Sequence, residues 1–225
     1  MKKNLYGRVL SLLTSIILLF TVIPTAMAEN GEKLGPTTNY VLKYKDVNEG
    51  NWAATSIQFV VFEKLIYPVT DDYFIPEGYV TRGNIVEILH RLDKDETVYE
   101  NPFSDVEDDA YYANAIGWAF ANGIAHGYSA TEFAPDELIT RQDMATFLSN
   151  YIAYKNYDID ISEYININSY DDYGDISEYA VPAMKWACTR GIIRGYDGKL
   201  RPKDLIRRDE TAKVIETFTI KIKNH

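Results

Sequence analysis

Residues 103–152 read FSDVEDDAYYANAIGWAFANGIAHGYSATEFAPDELITRQDMATFLSNYI. After an acidic turn segment, apolar residues recur at helical spacing as far as Gly123, where a helix C-cap is expected. A polar loop follows, and helical spacing returns after Thr140. The apolar positions are Tyr112, Ala115, Ile116, Ala119 and Phe120 in the first part and Met144, Phe147, Leu148, Tyr151 and Ile152 in the second. The stretch therefore predicts a helix, a loop and a second helix.

The same pattern occurs three times along the chain. Each copy opens with an Asp near an aromatic residue, and an Arg follows 36 positions later. The pairs are Asp46 and Arg82, Asp105 and Arg141, and Asp172 and Arg208. A pattern that recurs in this way indicates one supersecondary unit built three times, with neighbours covering each other's apolar faces. We predict a first unit at 40–92, a second at 101–152 and a third at 168–222, joined by solvated linkers at 93–101 and 153–169.

The N-terminal segment has the pattern of a secretory signal. Residues 1–28 combine early basic residues, the apolar run VLSLLTSIILLFTVI and then Ala26-Met27-Ala28, a small-x-small cleavage pattern. A retained membrane anchor is the alternative, but the apolar run is shorter than the roughly 20 residues of a spanning helix. We predict a signal peptide at 1–28, a linker at 29–39 and a secreted chain with no membrane contact after cleavage.

The charge of the chain limits the classes of molecule it can bind, and its cysteine content limits its covalent chemistry. Removing residues 1–28 takes away Lys2, Lys3 and Arg8 and no acidic residue, so the formal charge moves from −10 to −13. Such a surface repels nucleic acid and anionic lipid, and an anionic partner must meet local clusters of basic residues. The single cysteine, Cys188, allows no intramolecular disulfide. Its apolar helical surroundings predict a buried small residue rather than a nucleophile.

The Arg that closes each unit is unusual for a helix start. Thr140 and Asp143 form a typical start, because a Thr cap and an acid three residues later can satisfy two free amides. Arg141 faces the positive end of the helix dipole, which costs a few tenths to about 1 kcal/mol. Free amides and a guanidinium together would bind a carboxylate. The alternative is a purely structural pairing of each Arg with an Asp across a unit junction. Because an exposed cation at the helix start should not be needed by the helix, we expect Arg141→Ala with Arg208→Ala to abolish ligand binding while the circular dichroism stays near that of the wild type. Loss of folding in this double variant would support the structural pairing.

The repeated motifs resemble a known family. FSDV, AIGWAFANGIAHGY and FAPDELITRQDMA in the second unit, and YDDY, AMKWACTRGIIRGY and LRPKDLIRRDETA in the third, are similar to the S-layer homology (SLH) repeat. The resemblance covers about residues 40–222, as three tandem modules behind a signal peptide. It implies a mostly α fold with three helix-loop-helix repeats in a pseudo-threefold assembly. It also implies that inter-repeat grooves bind secondary cell wall polysaccharide, typically bearing pyruvate ketals, and hold the protein non-covalently on a Gram-positive-type cell wall or S-layer.

The resemblance also implies candidate ligand-binding residues. An Arg at a helix start suits the ketal carboxylate, aromatic residues would cover the apolar face of a sugar, and glycines would let the backbone approach. Carried over by position, the second groove takes Asp105, Trp118, Gly123, Gly127 and Arg141, the third takes Asp172, Trp186, Gly191, Gly195 and Arg208, and the first retains Asp46 and Arg82. The alternatives stay open that the tryptophans are core residues and the glycines only turn and cap positions.

The outer units depart from this pattern. Lys64 and Pro68 stand where the second unit has Gly123 and Gly127, so we expect a different loop path and a weaker first groove. In the third unit Arg207 replaces the Thr cap, which should leave Glu210 without its reciprocal partner. Basic residues cluster in this unit at Arg190, Arg194, Arg201, Lys203, Arg207 and Arg208. We expect the tightest anion contact in the second or third groove.

Other chemistries fit the sequence poorly. The acidic stretches lack the calcium-loop pattern, and the three histidines lie in no zinc-ligand spacing. No pair of carboxylates is singled out as a glycosidase would require. We therefore predict a non-enzymatic carbohydrate-binding chain without metal or cofactor. The alternative is a scaffold that binds another surface protein. Because no further domain follows residue 222 in this sequence, we expect an anchor that coats the wall, recruits a separate protein, or is a shortened relative of a larger protein.

Overall fold

The computed structural model describes residues 43–48, 50–157 and 165–223. The predicted signal segment 1–28 and linker 29–39 lie outside the described residues. The described part is helical, with isolated β-bridges and no strand, so the mostly α fold class is confirmed. The α-helices are Ala54–Phe62 (α1), Arg82–Asp93 (α2), Ala113–Ala121 (α3), Arg141–Tyr154 (α4), Val181–Thr189 (α5) and Arg208–Lys223 (α6). Three short 3₁₀ turns, Ile167–Ser169, Tyr173–Asp175 and Glu178–Ala180, precede α5.

The second helix of each unit starts at the predicted Arg. At α4 the Thr140 hydroxyl accepts the amide of Asp143 at 3.2 Å, as the cap pattern predicted. At α6 no Thr is present, but the Glu210 carboxylate accepts the amide of Arg207 at 3.1 Å. Glu210 therefore caps the helix without a reciprocal partner, as predicted, because its own amide donates to the Asp209 carboxylate and not to a Thr hydroxyl.

The first helix of each unit ends in the same way. Gly123 and Gly191 have φ angles of 67° and 60°, and Lys64 adopts the same left-handed conformation at 58°. In each case the amide of this residue donates to the carbonyl three residues earlier, at 3.1, 2.9 and 3.1 Å respectively. The expected difference in loop path is therefore wrong at this helix end. Lys64 has the cap geometry although an L-residue is strained there and glycine is not.

Helices pair across unit boundaries. α2 packs on α3, α4 on α5 and α6 on α1, so the second helix of each unit meets the first helix of another. In the α1–α6 pair, the buried Ser56 hydroxyl donates to Glu216 at 2.7 Å. Asp93 at the end of α2 accepts the Tyr151 hydroxyl of α4 at 3.1 Å and forms an ion pair with Lys155 at 2.8 Å. Each unit thus covers its apolar faces with its neighbours, as expected of a repeat.

The residues just before α2, α4 and α6 meet at one place. The Val80 amide donates to the Ile206 carbonyl at 3.4 Å, Ile206 to Ile139 at 3.2 Å, and Ile139 to Val80 at 3.1 Å. All three side chains are buried. These hydrogen bonds form a closed cycle through the three units and bring the three second-helix starts together.

Part of the predicted second linker belongs to the core. Ile167 is 1% exposed and lies in the first 3₁₀ turn, so the solvated-linker prediction for 153–169 is wrong at this residue. Residues 158–164 of that linker lie outside the described residues. In the part of the chain that the structure describes, no helix has both the length and the apolar content needed to cross a bilayer.

Candidate functional site

Each unit's opening Asp clamps the loop of its own unit. The Asp105 carboxylate accepts the amides of Phe133 and Ala134 at 2.9 and 2.7 Å. Asp46 and Asp172 accept the equivalent amide pairs at 2.7 to 3.0 Å. The second residue of each pair has a positive φ, 58° at Ala134, which is costly for a residue with a side chain. Two charge-assisted hydrogen bonds hold the loop in that conformation.

Each unit's closing Arg binds the loop of the next unit. The Arg82 guanidinium donates to the carbonyls of Phe133 at 3.0 Å and His126 at 2.8 Å. Arg141 donates in the same way to Leu200 at 3.0 Å and Arg194 at 3.1 Å. Arg208 returns to the first unit, where it donates to Phe74 at 2.9 Å and Tyr67 at 2.8 Å.

Arg and Asp therefore meet on opposite sides of one residue. Phe133 donates its amide to Asp105 and accepts the Arg82 guanidinium on its carbonyl. Leu200 links Asp172 to Arg141 in the same way. The structural alternative predicted a direct pairing of Arg with Asp across a junction, and the pairing instead passes through one residue's backbone. We name this arrangement the Asp–backbone–Arg link.

The prediction that each groove takes its Asp, Gly and Arg from one unit is wrong. Because the Arg serves the next unit's loop, Arg82 lies with Asp105, Arg141 with Asp172, and Arg208 with Asp46. The 36-residue spacing joins residues of one unit but does not join residues of one site.

The first amides of these helices are not free. The Arg141 amide donates to the Asp204 carbonyl at 3.0 Å, and the Gln142 amide to the Pro202 carbonyl at 2.9 Å. The corresponding amides of α2 and α6 are used in the same way. The prediction that free amides at this helix start address a carboxylate is therefore wrong for the first two positions, because neighbouring carbonyls occupy them.

Of the other predicted site residues, the tryptophans lie in the core and the glycines lie at helix ends and turns. Trp118 is 0% exposed and Trp186 5%, so both indoles pack inside, as the core alternative held. A Cβ added at Gly127 would collide with the ring of Phe103, and one at Gly195 with the ring of Tyr170. These two glycines are needed so that the loop can pass over an aromatic residue. Gly123 and Gly191 form the helix ends described above.

One groove combines residues of all three units. It has a volume of about 820 Å³ and is lined by Arg141 of the second unit, by the third unit's loop and α6, and by Trp52 and Tyr79 of the first unit. Of the predicted site residues, Arg141 and Gly191 line it. Its basic residues are Arg141, Arg194, Arg201, Arg207 and Lys213, and its acidic residues are Asp204 and Glu210. A cationic groove in a chain of formal charge −10 is a local exception.

The basic residues of the groove differ in how exposed they are and in whether an acidic side chain pairs with them. Arg207 is paired with Asp209 at 2.8 Å and Lys213 with Glu216 at 2.9 Å. Arg201 keeps 42% of its side chain exposed, and Arg194 is exposed. Arg141 is 6% exposed, and burial lowers the pKa of its guanidinium although the Glu210 carboxylate opposes this. Arg194 and Arg201 are therefore the accessible donors, and Arg141 lies at the base.

Glu210 lies between two of these guanidinium groups. Its Oε1 is 3.7 Å from Arg141 Nη1 and 4.0 Å from Arg201 Nη2. Both distances exceed those of a charge-assisted hydrogen bond, about 2.7–2.9 Å. One oxygen of Glu210 thus lies near two cations without a short ion pair, while the other accepts the Arg207 amide.

The equivalent positions in the other units are far less basic. Arg194, Arg201, Arg207 and Lys213 correspond to Tyr67, Ile75, Thr81 and Glu87 in the first unit and to His126, Ala134, Thr140 and Thr146 in the second. The Arg82 guanidinium is 4% exposed and is covered by the Tyr128 ring, 4.5 Å away. The expectation of unequal grooves agrees with these substitutions.

Sequence reasoning identified part of this groove. The predicted basic cluster contained Arg194, Arg201 and Arg207, which do line it. Lys213 was missed, although it follows Glu210 by three residues and so lies on the same face of α6. The contribution of Trp52 depends on the packing of α1 on α6, and that of Tyr79 on its β-bridge to Arg207, and no local sequence pattern predicts either contact. Within the described residues, no three His, Cys, Asp or Glu side chains come together as a metal-binding group.

Comparison with known proteins gives the family context. Residues 102–145 and 169–212, in the second and third units, match the model of the S-layer homology domain. The chain is 30% identical over 219 residues to an endoglucanase from Bacillus sp. (strain KSM-635), which is 96% of this chain and 22% of the relative. It is 32% identical over 177 residues to the exoglucanase XynX from Acetivibrio thermocellus, with 76% and 16% covered. It is 29% identical over 167 residues to the surface-layer 125 kDa protein of Lysinibacillus sphaericus, with 72% and 14% covered.

The chain therefore spans less than a quarter of the length of each of these relatives. The matched segments are similar to S-layer homology domains, and with the surface-protein relatives they indicate a cell-surface protein of a Gram-positive-type envelope. The first unit, at 40–92, stays a predicted third module. Like the matched units, it has an Asp that accepts two loop amides, a loop that accepts hydrogen bonds from a neighbouring unit's Arg, and a left-handed residue at the end of its first helix.

Proposed function

We propose that this chain attaches non-covalently to the cell wall by binding an anionic secondary cell wall polysaccharide, bearing pyruvate ketals, in the groove at Arg141. The observation that carries the proposal is the cationic groove. Two accessible guanidinium groups, those of Arg194 and Arg201, flank the buried Arg141 in a concave site large enough for a glycan. A ketal carboxylate would accept forked hydrogen bonds from them.

In this proposal the other predicted residues shape the grooves. Asp46, Asp105 and Asp172 fix the loops, Arg82 and Arg208 attach them to neighbouring units, and the four glycines allow their turns. Trp118 and Trp186 contribute to the core and not to the ligand surface. We also propose that the three units form a pseudo-threefold assembly of three SLH modules. The closed cycle through Val80, Ile139 and Ile206 supports this arrangement.

The proposal is tested by co-sedimentation with purified cell walls. The chain should sediment with intact walls and should remain in solution when the polysaccharide has been extracted. Mild acid, which hydrolyses ketals, should weaken binding while the polymer remains on the wall. Equal sedimentation with all three preparations would overturn the proposal.

A groove variant locates the site. Arg194→Gln with Arg201→Gln should lower wall affinity at least roughly tenfold, because it removes the two accessible charged donors. The matched control is Lys199→Gln with Lys203→Gln, which makes the same charge change at exposed positions of the same unit outside the lining of this groove. Equal losses in the two double variants would indicate a non-specific charge effect.

A second function has one specific observation in its favour. The first unit's loop exposes apolar side chains, with Tyr67 50%, Val69 54%, Tyr73 44% and Ile75 42% exposed. Such a surface suits a protein partner, and the chain would then be a scaffold for another cell-surface protein. Walls treated with protease would retain the chain if the polysaccharide is the partner and release it if the partner is a protein.

A further inference from the structure

The groove at Arg141 carries an aromatic surface in addition to its cations. Trp52 is 60% exposed, Tyr79 50% and Tyr196 75%, and all three line the groove. Trp52 lies two residues before α1, and α1 packs on α6, so the first unit places an indole at a site whose cations come from the other two units. Large exposed aromatic side chains gathered in one concave site are typical of a ligand surface.

The aromatic residues at the equivalent positions in the other units are held by hydrogen bonds. Tyr111 and Tyr179 correspond to Trp52 and are as exposed, at 61% and 59%. The Tyr111 hydroxyl accepts the Asn84 amide at 2.6 Å, and the Tyr179 hydroxyl donates to Asp143 at 2.5 Å. In those two units the ring is therefore tied to the third residue of the neighbouring second helix.

The first unit, which has Trp52 at this position, is different. Its α1 packs on α6, where the third helix residue is Glu210, and the Glu210 carboxylate lies near Arg141 and Arg201. The indole of Trp52 has no hydroxyl through which such a bond could form. The lining of the groove therefore combines the guanidinium groups of Arg194 and Arg201 with the exposed indole of Trp52.

We propose that Trp52 stacks on an uncharged sugar residue next to the anionic one, so that the groove binds a glycan segment of at least two sugars. This inference rests on the proposed polysaccharide function. The indole has a broad apolar face that suits the C–H face of a pyranose ring, and its N–H can donate to a sugar hydroxyl. The volume of about 820 Å³ is in the upper part of the roughly 300–1,000 Å³ range of ligand sites and leaves room for more than one ring.

Tryptophan fluorescence tests the inference directly. The chain has three tryptophans, and Trp118 and Trp186 are buried, so acrylamide quenching reports chiefly on Trp52. The probe is soluble polysaccharide fragments released from purified cell walls. Saturating fragments should protect Trp52 from acrylamide. Trp52→Ala should lower fragment affinity roughly tenfold or more, while Trp52→Phe should retain most of it.

The control is Tyr111→Ala, which removes an equally exposed aromatic residue from the equivalent position of the second unit. It should leave fragment affinity unchanged. If calorimetry shows that fragments bind while quenching is unchanged and Trp52→Ala binds like the wild type, the Trp52 inference is overturned and the polysaccharide function stands. If neither fragments nor intact walls bind the wild-type chain, the proposed function fails and the inference fails with it.

Discussion

A single loop residue in each unit connects two charged side chains that never touch. Phe133 is typical, because its amide donates to Asp105 and its carbonyl accepts from Arg82. The peptide group that joins Phe133 to Ala134 is polarised at both ends, because its amide donates to Asp105 and its carbonyl accepts from Arg82, and such a group makes stronger hydrogen bonds than a neutral pair does. The Asp–backbone–Arg link therefore fixes the loop conformation and the junction between units with the same atoms.

The link predicts that Arg141 is needed for stability. Arg141→Ala should lower the free energy of unfolding by about 3 kcal/mol, because the buried carbonyls of Leu200 and Arg194 lose their donor. This replaces the earlier expectation of an unchanged fold, which assumed an exposed cation. Urea unfolding followed by circular dichroism measures the loss. The control Lys203→Ala removes an exposed cation and should change stability by less than about 0.5 kcal/mol.

A substitution of Glu210 tests ligand binding in the groove without changing the stability of the fold. Glu210→Gln should raise affinity for the anionic fragments roughly threefold to tenfold, because a carboxylate is removed from beside two guanidinium groups. Glutamine can still accept the Arg207 amide, so the helix start is kept. Isothermal calorimetry measures the change, and Glu107→Gln controls for net charge at an exposed position. Lower affinity in Glu210→Gln would show that the ligand needs this carboxylate.

At the residue scale, sequence identified the charged residues but not their partners. The repeated Asp and Arg were visible because both side chains are distinctive and evenly spaced. Their partners are main-chain amides and carbonyls, which any residue supplies and which therefore leave no pattern. For the same reason an Arg at a helix start suggested an anion site, although its first task is to bind the next unit's loop.

At the scale of elements, the helices were predictable and their pairing was not. Apolar spacing and capping residues placed α3 and α4 correctly, including the start at Arg141. The helix end at Lys64 was missed because its left-handed residue is not a glycine. Pairing of α2 with α3 and of α6 with α1 is a tertiary property, since an apolar face does not specify which neighbour covers it.

The reactivity of the Cys188 thiol reports on the packing of α5 against α4. This thiol is 2% exposed in α5, and burial raises its pKa to about 11. The native protein should therefore resist a thiol-disulfide exchange reagent at pH 8 and react fully once unfolded. The unfolded thiol ionises near pH 8.5 while the native thiol stays protonated, so the free energy of unfolding should fall as pH rises from about 8.5 toward 11.

Cys188→Ala should remove this decline between pH 8.5 and 9.5, below the usual ionisation of tyrosine. The measurement is urea unfolding at each pH for the wild type and the variant. Fast labelling of the native wild type at pH 8 would contradict the buried position of the thiol in the α4–α5 pair.

For the molecule as a whole, the contacts between units form a closed cycle. The first unit binds the second through Arg82, the second binds the third through Arg141, and the third returns to the first through Arg208. The hydrogen bonds among Val80, Ile139 and Ile206 follow the same cycle. In an open row of repeats a terminal unit can be removed with limited damage. Here removal of any unit breaks two junctions.

The cycle predicts that the two units matching the family model do not suffice. A chain of residues 101–223 contains both but loses α1 beneath α6 and the Phe74 and Tyr67 carbonyls that Arg208 binds. Because it also lacks Trp52, it should show no cooperative thermal transition and no wall binding, whereas a chain of residues 43–225 should unfold in one transition and bind walls like the full chain. Differential scanning calorimetry and co-sedimentation measure both. A cooperative transition in the 101–223 chain would show that the second and third units form a stable pair without the first, and the closed cycle would then not be what holds the fold together.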